Sequence, residues 1–529
     1  MRWIFFYFST KIHMSKGDKL FGLIHSLELN EKRYFKLQAS VQKKDSNLVR
    51  LFDYYADAKE FDEAELRKKF SGEKFLDQLA VTQNHLYDLI LRGMRLYHLK
   101  RSLEFRLQGM LQDVQFLYEK GLVEQSEDML RKVRKSAEKN DCFLVILNVL
   151  EWESKLLSEG FYVGKDEQDI DRLSEEYYEV LGALQNEREY IDLQSKIFNN
   201  YYKVGIERNN KEYKTNEQII NQFALKDPER ALTFRSKCCY LNIHAQYNKI
   251  NGNWEQAYIY RMQLLELLEN EFGTSFNKDI VKRYFVALNN LIPICVRLRK
   301  WDQAQMMIQK MESIEDQSLK THFSEEMKSR IFMQASIAKL AVYARLGMKD
   351  EGIQLVQKLS LMKSELTAYH RKYVLLHLYF NIAYFLFSIG KFSPAIRWLN
   401  PVLNDTDIKT AEDLHASTRI LTLVLQFELG RNELLEYLAR STYRFLNKLE
   451  GLYKFEEVML VFMKKFSKND HLRNDKETYL ALRQDLLEAG YEPSERNALS
   501  TIDLIAWVDS KISGRTLAEV LKDKNIVQG

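Results

Sequence analysis

The chain has few residues that interrupt helices, with 5 prolines and 20 glycines among 529 residues. Average usage is about 5% Pro and 7% Gly, so a fold of short strands joined by frequent turns is disfavoured. Apolar residues recur at helical rather than alternating spacing along the chain. These observations predict an all-α fold.

Cysteine is also scarce, and its pattern excludes a metal-ligating framework. Cys142, Cys238, Cys239 and Cys295 lack CxxC or Cys/His ligand spacing. In a helical chain of this size we expect buried free thiols, which fit a reducing cytoplasm. No apolar run approaches the ~20 residues that span a bilayer. The sequence therefore predicts a cytoplasmic protein.

Charge and motifs exclude several functional classes. The 78 Lys and Arg and 74 Asp and Glu leave a net charge of +4, short of the basic character typical of nucleic-acid-binding proteins. The motifs GxxxxGK[ST], GxGxxG, GxSxG and HExxH do not occur. His370 and His377 are seven residues apart without a third ligand, and we interpret them as ordinary histidines. We predict no catalytic residue, no metal site and no cofactor.

What the chain does contain is a recurring helix–turn–helix unit, clearest at residues 380–404. Two apolar helices meet there at Gly390, Lys391 and Phe392, and Ala395 lies early in the second helix. A recurring unit of this kind is typical of stacked helical repeats. Similar segments occur at residues 247–268, 291–311 and 340–359.

The small residue after each turn marks the period. Ala257, Ala304, Gly352 and Ala395 are spaced by 47, 48 and 43 residues, and Leu434 follows after another 39. A small side chain at this point allows paired helices to approach each other closely. The markers predict one hairpin per period.

An upstream unit is marked by Ser126, which lies 131 residues before Ala257. That distance corresponds to about three units, so we place two less distinct units between them, near Glu167 and Tyr213. The predicted array then extends over residues 103–450.

The hairpins resemble tetratricopeptide repeats, although their period of 39–48 residues is longer than the ~34 residues typical of that family. The units at Trp254 and Trp301 keep the aromatic residue and the alanine. In the second of these units, Arg299 replaces the turn glycine before Trp301. The resemblance implies a right-handed α-solenoid whose first helices line a concave groove for peptides or partner helices. The residues of the best unit that match the family pattern are Tyr379, Ile382, Ala383, Leu386, Gly390, Phe392, Ala395, Leu399 and Val402.

The resemblance also suggests which polar side chains face the groove. Amides there would bond a peptide backbone, and cations would hold a carboxylate; the alternative is that they are polar positions on an exposed helix face. Asn381 resembles the asparagine that clamps peptide backbone in chaperone-binding members, but the full basic clamp of those members is not recognisable. The predicted groove residues are Asn242, Gln246, Lys249, Asn289, Arg297, Gln334, Arg345, Asn381 and Tyr384.

The N-terminal part does not follow the repeat pattern. We predict helices at 18–29, 30–42, 46–58, 62–70 and a long one near 74–108. The end of the long helix has a basic face, which either belongs to a helix-turn-helix or winged-helix module that contacts DNA or is the solvated face of a helical cap. We favour the cap. The basic face comprises Arg92, Arg95, Lys100, Arg101 and Arg106, with Tyr97 among them.

A second basic cluster follows in the first repeat unit. Arg131, Lys132, Arg134 and Lys135 lie within five consecutive residues. We interpret them as the exposed side of a repeat helix.

The predicted organisation has four parts. Residues 1–16 are a flexible tail or a mis-assigned start, with Met14 as the natural first residue; the alternative is that residues 1–13 form a short membrane-touching anchor. Residues 17–102 form the N-terminal helical domain, 103–450 the repeats and 451–529 a C-terminal helical cap that ends in two short helices.

We predict a non-enzymatic scaffold that binds a protein or peptide partner in its groove. The alternative is a transcriptional regulator, in which residues 17–108 contact DNA and the repeats sense a partner.

Overall fold

A computed structural model of the chain describes most of the residues discussed above. The predictions for residues 1–13, Met14, Lys100, Arg101 and His370 lie outside the described residues. The described ranges are 15–42, 47–58, 60–99, 102–160, 166–204, 211–272, 278–321, 325–369, 372–405, 412–449, 452–468, 475–491, 495, 499 and 501–526.

The described residues are all-α, as predicted, and contain no strand. None of their helices combines the length and the apolar character needed to cross a membrane. The chain divides into two compact units, residues 1–188 and 189–529, and the boundary falls within one long helix. Most helices pack against their neighbours in sequence, which is compatible with a helical repeat.

The first unit begins with five helices around a small apolar core. They are α1 (Lys16–Ser26), α2 (Leu29–Gln42), α3 (Asn47–Asp57), α4 (Glu63–Lys69) and α5 (Leu79–Leu99). The unit continues with α6 (Leu103–Glu119), α7 (Val123–Glu138), α8 (Phe143–Glu159) and the first part of α9 (Glu167–Val204).

The single long helix predicted near 74–108 is wrong. Residues 74–78 form a short 3₁₀ segment, α5 ends at Leu99 and α6 begins at Leu103. Ser102 has extended backbone angles, as is usual for the residue that precedes a helix. A side chain on Gly109 would come within 2.6 Å of the Leu99 side chain, so glycine allows α6 to fold back against the end of α5.

The second unit contains the rest of α9 and sixteen further helices among its described residues. They are α10 (Lys211–Ile220), α11 (Phe234–Ile250), α12 (Trp254–Phe272), α13 (Lys278–Arg297), α14 (Trp301–Thr321), α15 (Glu325–Leu346), α16 (Lys349–Leu361), α17 (Lys363–Tyr369), α18 (Lys372–Ser388), α19 (Phe392–Leu403), α20 (Glu412–Glu428), α21 (Asn432–Leu446), α22 (Lys454–Lys468), α23 (Lys476–Ala489), α24 (Leu504–Ser513) and α25 (Leu517–Ile526).

Seven turns between successive helices share one geometry. In each, a residue with a left-handed backbone follows the first helix, and the second helix begins two residues later. The next backbone N–H bonds to the carbonyl five residues earlier, at 2.8–3.1 Å, which is the Schellman arrangement that ends a helix. The left-handed residues are Gly121, Asp141, Gly252, Arg299, Gly347, Gly390 and Gly430.

The marker residues occupy equivalent places in these hairpins. Each lies five positions after the left-handed residue, as the fourth residue of the second helix, and each is buried. The structure corrects one marker: Leu434 is 44% exposed, whereas Leu435 is fully buried and is the fourth residue of α21. The equivalent residues are Ser126, Ala257, Ala304, Gly352, Ala395 and Leu435.

The two less distinct units near Glu167 and Tyr213 do not show this hairpin geometry in the described residues. Glu167 begins α9, which runs uninterrupted for 38 residues. Tyr213 lies within α10, which ends at Ile220 and is followed by two short 3₁₀ segments. No residue described between α9 and Thr233 has a left-handed backbone, so the local turn that defines the other hairpins is missing there.

The spacing of the helices at Gly352 gives a testable prediction. An added Cβ at this position would lie 2.0 Å from Cζ of Phe385 in α18. We expect Gly352→Ala to lower the unfolding free energy by about 1 kcal/mol or more, because overpacking costs about 1–3 kcal/mol and outweighs the gain of about 1 kcal/mol in helix propensity. Urea unfolding followed by circular dichroism measures the change.

A double-mutant cycle isolates the clash. In a Phe385→Leu background the ring atoms are gone, so Gly352→Ala should become neutral or stabilising. Gly182→Ala in α9 is the control, since no atom lies within 4 Å of its added Cβ. Equal destabilisation by Gly352→Ala in both backgrounds would show that the Phe385 ring does not set this spacing.

Candidate functional site

The first helices of the hairpins in the second unit form a continuous series. Helices α13, α15, α18, α20 and α22 contact one another in that order, although one or two other helices separate each pair in sequence. We call α11 and these five helices the A-helix row, and the second helix of each hairpin its B helix. All nine predicted groove residues lie on the A-helix row.

On α11 the predicted residues are largely engaged within the chain. Asn242 donates to the Cys238 carbonyl at 2.9 Å, and its amide oxygen accepts from buried Arg261 of α12. Lys249 lies over the Tyr201 ring of α9, 4.9 Å from its centroid. Gln246 is only 2% exposed, and its amide nitrogen has no hydrogen-bond partner among the described residues.

Two half-buried amides further along the row have no partner within the described part of the chain. Asn289 of α13 and Gln334 of α15 are half-exposed, and the described part of the chain gives neither side chain a hydrogen bond or a ring contact. Arg297, at the end of α13, packs its guanidinium 5.5 Å from the centroid of Trp254. Asn289 and Gln334 are therefore the predicted groove residues most available to a second molecule.

The structure brings Arg345 and Tyr384 together but does not leave them open. The Arg345 guanidinium lies 5.3 Å from the Tyr384 ring centroid, and its Nη1 donates to the Ala341 carbonyl at 3.1 Å. Tyr384 is 3% exposed, and its hydroxyl accepts from the backbone N–H of Asp503 at 3.5 Å. Burial raises the pKa of Tyr384, and the nearby Arg345 opposes that shift. Asn381 donates to the His377 carbonyl of its own helix at 2.8 Å.

The reason is that the chain's own C-terminal segment covers this part of the row. Trp507 of α24 is 1% exposed and packs edge-to-face on Phe427 of α20, with ring centroids 5.7 Å apart. Its indole Nε1 donates to Glu428 Oε1 at 2.5 Å, and Lys511 Nζ donates to Glu428 Oε2 at 2.5 Å. This buried carboxylate fixes α24 to the end of α20.

The last helix, α25, turns back to α15. Arg299, the left-handed residue of the α13–α14 turn, donates from Nη1 to the Lys524 carbonyl at 2.6 Å. A Cβ on Gly347, in the α15–α16 turn, would lie 3.7 Å from the Ala518 carbonyl oxygen. The C-terminal segment therefore packs on the A-helix row from α20 back to α15.

The sequence contains a signal for this cover that the groove prediction did not take into account. Helix α18 reads KYVLLHLYFNIAYFLFS, and every residue from Leu378 to Ser388 except Asn381 is buried. A helix that is apolar on every side is buried on every side, so it does not line an open groove. Helix α20 shows the same pattern between Ile420 and Phe427.

Titratable groups do not form a metal site within the described residues. No group of three or more His, Cys, Asp or Glu side chains is placed to hold an ion there. The four cysteines are free thiols as predicted; three are buried, while Cys142 is half-buried. Burial raises the pKa of the Cys238 and Cys295 thiols to about 12, so these thiols are protonated at neutral pH.

The basic face of the N-terminal unit is divided. Arg92 and Arg95 of α5 and Arg106 of α6 are exposed, but Tyr97 is buried. The face therefore carries exposed arginines on two separate helices, and its tyrosine belongs to the interior.

In the second basic cluster, Arg134 is half-buried and not part of an exposed basic surface. It pairs with Glu138 on its own helix, with Glu153 of α8 at 2.6 Å and with Glu176 of α9. Arg131, Lys132 and Lys135 are exposed, as we expected for the outer side of this helix. Arg134 thus joins three helices within the first unit.

The Glu428 contact predicts how firmly the C-terminal segment is held. Glu428→Leu leaves the buried Trp507 N–H and the Lys511 ammonium without their acceptor, and we expect the unfolding free energy to fall by about 2 kcal/mol. Glu428→Gln keeps an acceptor for Trp507 and should cost roughly half as much. Chemical denaturation reports both values.

The control is Glu436→Gln, which removes an exposed pair with Arg440 and should change stability by less than about 1 kcal/mol. An effect as large as that of Glu428→Leu would contradict the role assigned to Glu428.

A second prediction concerns pH. Burial lowers the pKa of His377 to about 4, whereas an unfolded chain protonates histidine near pH ~6.5. Because the folded state then binds fewer protons, stability should fall as pH decreases from about 6.5 to about 4, with no further contribution from this group below that range. His377→Gln should reduce this slope, measured by urea unfolding at several pH values. Exposed His85→Gln should leave the slope unchanged, and an unaltered slope in His377→Gln would contradict the prediction.

Comparison of the sequence with known protein families gives no match, and no curated protein matches it in sequence. The A-helix row therefore has to be interpreted from its own geometry.

Proposed function

We propose that this protein is a non-enzymatic scaffold that binds a helix or extended peptide of a partner protein on the A-helix row. The observation that carries the proposal is that the row already binds a helix, since α25 of the same chain packs on α15. A surface that accepts one amphipathic helix has the shape and apolar character needed to accept another.

The proposal includes a tetratricopeptide-like, right-handed α-solenoid. Its support is the constant geometry within each hairpin: the left-handed residue, the start of the B helix and the buried fourth residue of that helix keep the same offsets. Identical local turns set similar angles between consecutive helices, and a repeated angle generates a superhelix. We place the protein in the cytoplasm, and its buried free thiols support that location.

The polar groups available on the row suit a polypeptide ligand. The half-exposed amides of Asn289 and Gln334 can donate to and accept from a peptide backbone at the same time. They lie on successive A helices that contact each other, so one ligand that follows the row meets both.

Site-specific photo-crosslinking in the native cell tests this proposal. A photoreactive phenylalanine at Asn289 or Gln334 should capture the same partner protein. Met306, 42% exposed on the B helix of the same hairpin as Asn289, is the matched control and should not capture it. Equal capture at Met306, or no capture at either A-helix position, would overturn the proposal.

A further inference from the structure

Helix α25 is held to the rest of the protein by fewer buried side chains than α24. Three apolar side chains, Leu517, Val520 and Leu521, are its buried residues among those described. Their spacing of i, i+3 and i+4 puts them on one face of the helix. The described part of α25 thus buries a single apolar stripe and pairs Lys524 with Asp509 of α24 at 3.1 Å, whereas α24 buries Trp507 and its polar contacts.

The connection between the two helices is short and exposed. Ser513, Gly514, Arg515 and Thr516 are all exposed, and Gly514 has a left-handed backbone with φ +70° and no atom within 4 Å of an added Cβ. Helix α25 also starts with its own cap, because the Glu519 carboxylate accepts from the Thr516 N–H at 2.8 Å and Glu519 N–H donates to Thr516 Oγ1 at 3.3 Å. It is therefore a locally capped helix that follows an exposed linker.

Arg299 marks the other end of the α25 binding surface. Five of the seven turns have glycine at this left-handed position, whereas Asp141 adopts φ +48° and Arg299 adopts φ +57°, which costs a non-glycine residue energy. Its guanidinium donates to the Lys524 carbonyl in the last turn of α25, where helix carbonyls lack intrahelical partners. The strained backbone of Arg299 positions its guanidinium at the C-terminal end of α25, where the helix dipole is negative.

We propose that α15, together with Gly347 and Arg299, is a binding site for an amphipathic helix of a partner protein, and that α25 is its resident occupant until that helix displaces it. This inference rests on the proposed function and specifies the partner's chemistry: an apolar stripe of three residues at i, i+3 and i+4, and a C-terminal turn with free carbonyls at Arg299.

A foreign helix is favoured over α25 from a second copy. A second copy offers the same side chains as the resident helix, which the short linker holds at a high effective concentration. A partner that continues along the row to Asn289 and Gln334 gains contacts that α25 does not make, and only added contacts displace a tethered competitor.

The test uses the full-length chain with the resident helix weakened. Val520→Asp and Leu521→Asp together should release α25, while circular dichroism confirms that the chain is still folded. The probe is a fluorescein-labelled peptide of residues 515–526, and fluorescence anisotropy measures its binding. We expect the peptide to bind the double variant at least tenfold more tightly than the wild type, in which α25 competes.

Two controls define the site. Adding Arg299→Ala to the double variant should weaken peptide binding several-fold, whereas adding Arg440→Ala, which removes an exposed arginine of α21, should not. A peptide carrying Leu521→Asp should fail to bind. Equal peptide binding to wild type and double variant, or no binding to the folded double variant, would overturn the proposal.

A designed helix that keeps only the Leu–x–x–Val–Leu stripe on otherwise unrelated polar residues separates a foreign helix from a second copy. Binding of this helix to the double variant supports a partner of the stated class. Binding of the native peptide alone, with concentration-dependent dimers of the wild type, would assign the site to a second copy and overturn the proposal. Crosslinking at Asn289 and Gln334 without peptide binding would leave the proposed function standing and remove only this inference. Peptide binding without crosslinking would show that α15 binds a helix in trans, but it would overturn both the proposed function and the partner that this inference assigns to the site.

Discussion

The backbone turn between paired helices is the constraint on which the hairpins depend. A left-handed residue ends the first helix, and five positions later a buried residue lies where the second helix meets its neighbours. Because glycine adopts the left-handed region without steric cost, the turn forms locally in five of the seven cases; the other two have Asp141 and Arg299 at this position. Arg299 adopts the same conformation at a cost, and its side chain has a long-range partner in the last turn of α25.

The C-terminal segment determines which helices of the A-helix row are covered by the chain itself. Helices α18 and α20 are buried on nearly every side, with α24 fixed over them by Trp507 and Glu428. The open part of the row is therefore its earlier section, where polar amides are half-exposed. The boundary between the two sections lies at α15, which α25 covers. We propose that partners bind the earlier section, while the chain itself fills the later one.

Much of the fold follows from local sequence signals. The scarcity of proline and glycine, the helical spacing and the markers Ala257, Ala304 and Ala395 predict an all-α chain of hairpins, and the structure places those alanines equivalently. Prediction from sequence was less successful where two helices are separated by a subtle break, as at Leu99. Ser102 was a weak signal there, and the decisive contact between Leu99 and Gly109 joins residues on different helices.

The sequence by itself determined the helical class, the turn positions and the free cysteine thiols, because each depends on backbone preferences or on composition within a few residues. Only the tertiary structure decided which A-helix positions are open. Asn289 and Tyr384 both appear as polar groups on a first helix, yet one is half-exposed and the other lies beneath Asp503. The burial of Tyr384 depends on a segment 119 residues away in sequence, and local pattern carries no information about which distant helix will cover a given face.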